Sequence, residues 1–294
     1  MSAIAVNGID YLRDARELTD RLLDRLMPSA DTDPRLLHEA MRYSVMAGGK
    51  RLRPILALAA YEYCGGSADE AEQTIHKAMA SLEMVHTYSL IHDDLPCMDD
   101  DDLRRGIPTC HKKFNEAVAT LAGDALHVLA FQLMAETGDN AVVLELAEAV
   151  GTSGMLGGQM ADLEAEGRTI GRDELINIHT RKTGALLRGS VRIGAILAGT
   201  DNETLARLTT YGEKTGLAFQ IIDDILDIEG DQQLLGKLVG SDTKNQKATY
   251  PGVIGLDAAK QEARQLIDQA LAVFDGEEDN VLRFIAGYIG QRNS

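Results

Sequence analysis

The sequence has no tryptophan, and aromatic residues fill only 4% of its 294 positions. A core made without large rings must come from Leu, Ile, Val, Ala and Met, and that composition favours helices over strands. Cysteine is scarce as well. Cys64, Cys97 and Cys110 are an odd number with no metal-ligand spacing, which fits a reducing compartment. Positive charge is in deficit: 29 Lys and Arg stand against 46 Asp and Glu, a net charge of −17. Such a surface repels nucleic acid and anionic membranes, so neither is expected as a partner. No stretch approaches the roughly 20 apolar residues of a membrane span. The opening MSAIAVNGIDYLRDARE has no apolar run of signal-peptide length, and a cytoplasmic location is expected. Alternating strand patterns and Pro- or Ser-rich linkers are also missing, so residues 1–294 are expected to form one domain.

What is present is helical periodicity. From Ile9 to Leu26 apolar residues fall at three- and four-residue steps among charges. Similar segments follow, interrupted at Gly48–Gly49, Gly65–Gly66 and Pro96. Residues 184–199 are apolar nearly all round, as a central helix would be. With short connections this predicts an all-α fold, one large helical bundle. Residues 229–252 are the one long polar stretch. Carrying Lys237, Lys244 and Lys247, it reads either as a connector or as a lid over an anion.

Two acidic clusters interrupt these helices. In FQIIDDILDIEGD, Asp223 and Asp227 are four apart and share a face with Gln220. Such a pair destabilises a helix by about 0.2–0.5 kcal/mol unless a cation sits between. A solvated face is one reading; the surrounding isoleucines favour a stripe lining a cavity. In HDDLPCMDDDDLRRG, six of the ten positions from Asp93 to Asp102 are aspartate. His86 and Asp93 are seven apart and face the same way on one helix. The break at Pro96 lets the chain curl so that Asp99 returns near Asp93. Ligands made only of oxygen suit Mg²⁺, which takes one or two carboxylates, waters and substrate phosphates. The central glycine and closing Glu of a calcium loop are missing. Basic residues complete the set: Lys50, Arg51 and Arg53 in AGGKRLRP, Arg104 and Arg105 after the first cluster, and Lys182 with Thr183 in TRKTG. Carboxylates would hold metal, metal would hold a diphosphate, and cations would take the remaining oxygens.

These motifs, with HTYSLIHDD, TCHKKFNEA, LAGDAL, GGQMADLEAEG, HTRKTGALL and KATYP in the same order, resemble the short-chain bacterial branch of the trans-prenyl diphosphate synthases. The resemblance covers essentially the whole chain. It implies the isoprenoid synthase bundle, with a central cavity flanked by the two Asp-rich motifs, and a homodimer. It implies Mg²⁺-dependent head-to-tail condensation of isopentenyl diphosphate with dimethylallyl or geranyl diphosphate. About three Mg²⁺ per site would be held by Asp93, Asp99 and Asp223, with Asp94, Asp224 and Asp227 acting directly or from behind. Arg104, Lys182, Lys237 and Lys247 would bind the allylic diphosphate. Lys50, Arg53, His86 and Arg105 would bind isopentenyl diphosphate. Thr183 and Gln220, with Lys182, would serve the reacting carbons. Tyr88 and Ser89 lie about 6–7.5 Å deeper than Asp93 along the helix. An aromatic residue at Tyr88 resembles the farnesyl-producing (C15) pattern. Geranylgeranyl (C20) or geranyl (C10) synthases, a terpene cyclase and a non-catalytic subunit are the alternatives. One departure is the tail GQRNS, which lacks the basic final residue common in this branch.

Overall fold

The computed structural model describes residues 8–67, 74–229 and 248–291. Helices α1 (Gly8–Leu26), α2 (Arg35–Val45), α3 (Leu52–Tyr63) and α4 (Ile75–Asp93) build the first half with α5 (Cys110–Lys113) and α6 (Glu116–Ala135). Then follow α7 (Asn140–Val150), α8 (Met155–Ala165) and α9 (Arg172–His179). A π-helical turn over Thr180–Gly184 leads into α10 (Ala185–Leu197) and the long α11 (Asn202–Glu229). The described chain ends with α12 (Tyr250–Ile254), α13 (Leu256–Ala272) and α14 (Val281–Gln291). Lys237, Lys244 and Lys247, and so the connector-or-lid stretch that carries them, lie outside the described residues, as does most of the tail GQRNS, including Arg292, its one basic residue.

Periodicity explains the layers. In α1 the buried residues include Ala15, Thr19, Leu22 and Leu23, one stripe on an otherwise solvated helix. In α3 and α4 burial runs almost all round, and these helices occupy the middle with α10. α4 packs most extensively on α6, α3 on α10, and α11 on α13. One apolar cluster runs through all of these contacts.

Two expectations are corrected. A short antiparallel hairpin is present, β1 (Leu103–Arg104) and β2 (Ile107–Pro108), paired Arg104 to Ile107. Its two turn residues, Arg105 and Gly106, both have positive φ (55° and 80°), as a type I′ turn demands. Helix α6 is long and apolar enough by composition to cross a membrane, contrary to the reading that nothing approaches that length. One face lies on α4, while Leu121 and Val128 remain 58% and 69% exposed.

Candidate active site

The first acidic run is sorted by the end of α4. The helix stops at Asp93, ahead of Pro96, whose ring excludes a helical predecessor. The Asp99 N–H then donates to the Asp93 carbonyl at 2.8 Å, and the Asp100 N–H to the Leu95 carbonyl at 3.2 Å. The chain has doubled back, bringing Asp93 and Asp99 together, both half-buried. Asp94 faces the other way. It is 3% exposed and accepts from Arg104 Nε at 2.7 Å. Burial raises its carboxyl to about 6, against the pull of Arg104. Asp101 also meets Arg104, at 3.3 Å, and Asp102 pairs with Lys112 at 2.8 Å.

Across the bundle, the second motif meets the π-turn. Thr183 Oγ1 donates to Gln220 Oε1 at 2.8 Å, and Gln220 Nε2 donates to Asp224 Oδ1 at 2.9 Å. The other Asp224 oxygen accepts the Tyr250 N–H at 2.8 Å and lies 3.5 Å from His179 Nε2. Asp224 and Asp227 are thus turned inward, at 4% and 3% exposure, and Asp223 is the half-buried member of the motif. Gln220 bonds to Asp224, not toward the Asp223 and Asp227 side that their spacing suggested. A π-turn inserts a residue into the helical register, a device concentrated at functional sites. Here it carries Lys182 and Thr183. Lys182 Nζ pairs with Asp162 on α8 at 2.5 Å. Gly158 of α8 allows this approach: a Cβ there would lie 2.2 Å from the Lys182 backbone nitrogen.

Between these groups lies a cavity of about 370 Å³. Its walls include Arg53, His86, Asp93, Lys182 and Thr183, together with Tyr88 and Ser89, five and four residues before Asp93 on α4. Thus residues from α3, α4 and the π-turn face one space, with Asp99 and Gln220 one bond behind Asp93 and Thr183. Tyr88 is 3% exposed, and Ser89 Oγ donates to the His86 carbonyl at 2.9 Å. His86 is held well below its ordinary 6.5, by burial first and then by Arg53, Arg105, Arg104 and Arg51, and so is neutral. Arg53 is lowered to about 10 by burial, with Glu83 opposing and Arg105 adding to the shift.

Other expected residues stand apart. Arg104 borders a small void of about 30 Å³ with Asp94 and Thr87. Arg105, which shares that void, donates to the Gly48 carbonyl. Lys50 is exposed and lines a neighbouring cleft with Arg16 and Phe219. Residues given no role from the sequence also line the cavity: Gln159 of the GGQMADLEAEG block, Met155 just before that block, and Cys97 inside the first acidic run. Among the described residues no group of three or more His, Cys, Asp or Glu is arranged to hold a metal by itself. The paired Asp93 and Asp99 fit Mg²⁺, which needs only one or two carboxylates beside water and substrate phosphate.

Comparison with known proteins identifies the family. Residues 34–288 match the polyprenyl synthetase family. The chain is 48% identical to farnesyl diphosphate synthase of Escherichia coli over 87% of this chain and 89% of that one. It is 43% identical to the large subunit 1 of a heterodimeric geranylgeranyl pyrophosphate synthase of Arabidopsis thaliana, over 97% and 80% of the two chains. The fold superposes with a TM-score of 0.84, at 31% identity and 98% coverage of each chain, on a Helicobacter pylori geranyltransferase whose crystal structure holds magnesium and isoprenyl diphosphate. The chain belongs to the polyprenyl synthetase family, and it is an all-α prenyltransferase of the trans-prenyl diphosphate synthase type.

Proposed function

We propose that this enzyme condenses isopentenyl diphosphate with dimethylallyl and then geranyl diphosphate, releasing diphosphate and farnesyl diphosphate. The observation that carries the reading is the shared cavity: Asp93, Lys182, Thr183, Arg53, His86 and Tyr88 all line one space. Asp93 and Asp99 would hold Mg²⁺ on one side of the allylic diphosphate, and Asp223 on the other. When bound, the metal neutralises the charge that develops on the leaving diphosphate. Three ions is the proposed complement.

Lys182 would exchange its Asp162 contact for diphosphate oxygens, and Arg104 would exchange part of its contact with Asp94 and Asp101. Lys237 and Lys247 are proposed as further ligands. Isopentenyl diphosphate, whose own diphosphate does not leave, would be held by Arg53, His86, Arg105 and Lys50. The neutral imidazole of His86 can donate one hydrogen bond without adding charge to the guanidinium cluster. The allylic cation needs weak dipoles that do not trap it, and the Thr183 hydroxyl and Gln220 carbonyl oxygen are hydrogen-bonded into place for that role. Asp224 and Asp94 act from behind, through Gln220 and Arg104. Carbon–carbon bond formation is followed by loss of a proton to the departing diphosphate. No nucleophilic side chain takes part.

The C15 product is supported by the buried Tyr88, an aromatic residue in the cavity wall. A homodimer is proposed too, supported by the exposed Leu121 and Val128 of α6. Chromatography of the products from isopentenyl and geranyl diphosphates with Mg²⁺ tests the reading. A C15 product is expected, and a predominant C20 product would contradict the chain-length assignment.

A further inference from the structure

Between α2 and α3 the backbone turns through three residues of positive φ: Gly48 (89°), Gly49 (133°) and Arg51 (52°). Glycine takes such angles freely, but arginine does so only where its surroundings impose them. Here they do. Arg51 donates from Nε to Asp20 of α1, from Nη1 to Glu83 of α4, and from Nη2 to the Val45 carbonyl of α2, each at 2.8 Å. Three of its nitrogens thus reach three different elements. The Arg51 and Glu83 side chains are both 1% exposed. Burying such a pair adds little stability over an apolar pair of the same size, because desolvation offsets the attraction. What a three-way fork supplies is position.

The loop it fixes carries functional side chains on both sides. Lys50 precedes Arg51, and Arg53 follows it into the cavity, where Arg53 Nε has no hydrogen-bond partner in the protein. On α4, Glu83 stands one turn before His86, which lines the same cavity. Gly49 lies against the Arg105 guanidinium, 2.7 Å from where a Cβ would be. We infer that Arg51, gripped by Glu83 and Asp20, is a positioning residue for isopentenyl diphosphate: it never touches substrate but holds the 48–53 loop where Arg53 and Arg105 meet the diphosphate. This rests on the assignment of those residues to isopentenyl diphosphate. It also gives Glu83 a use, as the buried counter-charge that lets the guanidiniums of Arg51, Arg53 and Arg105 gather before any anion arrives.

The test is steady-state kinetics and thermal melting on Arg51→Lys, the double variant Arg51→Met with Glu83→Gln, and Arg53→Met. Lysine keeps the charge but lacks the fork. A loop displaced by a fraction of an ångström should raise the KM for isopentenyl diphosphate by about tenfold or more in Arg51→Lys. The KM for geranyl diphosphate should stay within about twofold. The double variant removes both buried charges, so its melting temperature should remain near wild type while the raised KM persists. A native KM in that double variant would overturn the inference, and so would its failure to fold, since either result assigns the pair to stability. Arg53→Met separates the two claims. If it leaves the KM for isopentenyl diphosphate unchanged, the substrate assignment itself fails; if it raises that KM while the Arg51 variants do not, the positioning claim alone is lost.

Discussion

The Tyr88 ring stacks on His127, with centroids 4.5 Å apart and planes 19° from parallel. Phe131 in turn meets His127 edge-on at 5.2 Å. These rings join α4 to α6 behind the cavity-lining Tyr88, so if Tyr88 limits the growing chain, it does so with a second aromatic layer behind it. Replacing Tyr88 with alanine should open the cavity wall and shift the product beyond C15. Tyr88→Phe should leave the product at C15, because the Tyr88 hydroxyl has no hydrogen-bond partner to lose. Chromatography of the two variants' products checks both outcomes.

The chain Thr183–Gln220–Asp224 makes a separate claim on rate. Gln220→Leu keeps the bulk but removes both hydrogen bonds, leaving Thr183 without its acceptor on Gln220 and the Asp224 carboxylate with one donor fewer. If these dipoles serve the allylic cation, kcat should fall about 10²-fold. The KM for isopentenyl diphosphate should move little. Initial-rate measurements over both substrates separate the two effects.

Gly158 sets the distance between α8 and the π-turn. A methyl group there would stand 2.2 Å from the Lys182 nitrogen and 2.6 Å from its Cα, and both are backbone atoms that cannot swing aside. Gly158→Ala should therefore lower stability by about 1–3 kcal/mol and displace Lys182 from the cavity. Urea unfolding and kcat should fall together.

Stability should also depend on pH through His179. Burial pulls this imidazole from its ordinary 6.5 down to about 4. Between those values the unfolded chain binds a proton that the folded protein refuses, so stability is full above 6.5 and declines as pH drops toward 4. From pH 7 to pH 5 the loss is about 2 kcal/mol. Asp94, raised by burial to about 6, acts in the opposite sense, stabilising the fold as pH falls through that value. Comparing wild type with His179→Asn cancels Asp94. Urea titrations at the two pH values should show the wild type losing about 2 kcal/mol more than the variant.

Much of this was legible from residue spacing. The helical phase of His86 and Asp93 and the break at Pro96 carry enough local information to bring Asp99 back to Asp93, and the backbone bond between them is the result. The apolar stripe of α1 and the all-round burial of α10 follow from the same periodicity. What was not legible depends on partners distant in sequence. Asp224 turns inward because the Tyr250 N–H, 26 residues on, awaits it. The π-turn at TRKTG is shaped against Gly158. The hairpin at Arg105–Gly106 carried no Asn-Gly signal, because arginine rarely takes a left-handed conformation. Arg51 reads as one more surface cation in GGKRLRP until Glu83 and Asp20 are seen around it.

The most direct measurement is diphosphate release from geranyl diphosphate and Mg²⁺, with and without isopentenyl diphosphate, with products resolved by chain length. Release without isopentenyl diphosphate should be negligible. With it, one diphosphate should appear for each C15 chain formed, and Asp93→Ala should abolish both signals. Release that proceeds equally well without isopentenyl diphosphate would contradict condensation and point to ionisation alone.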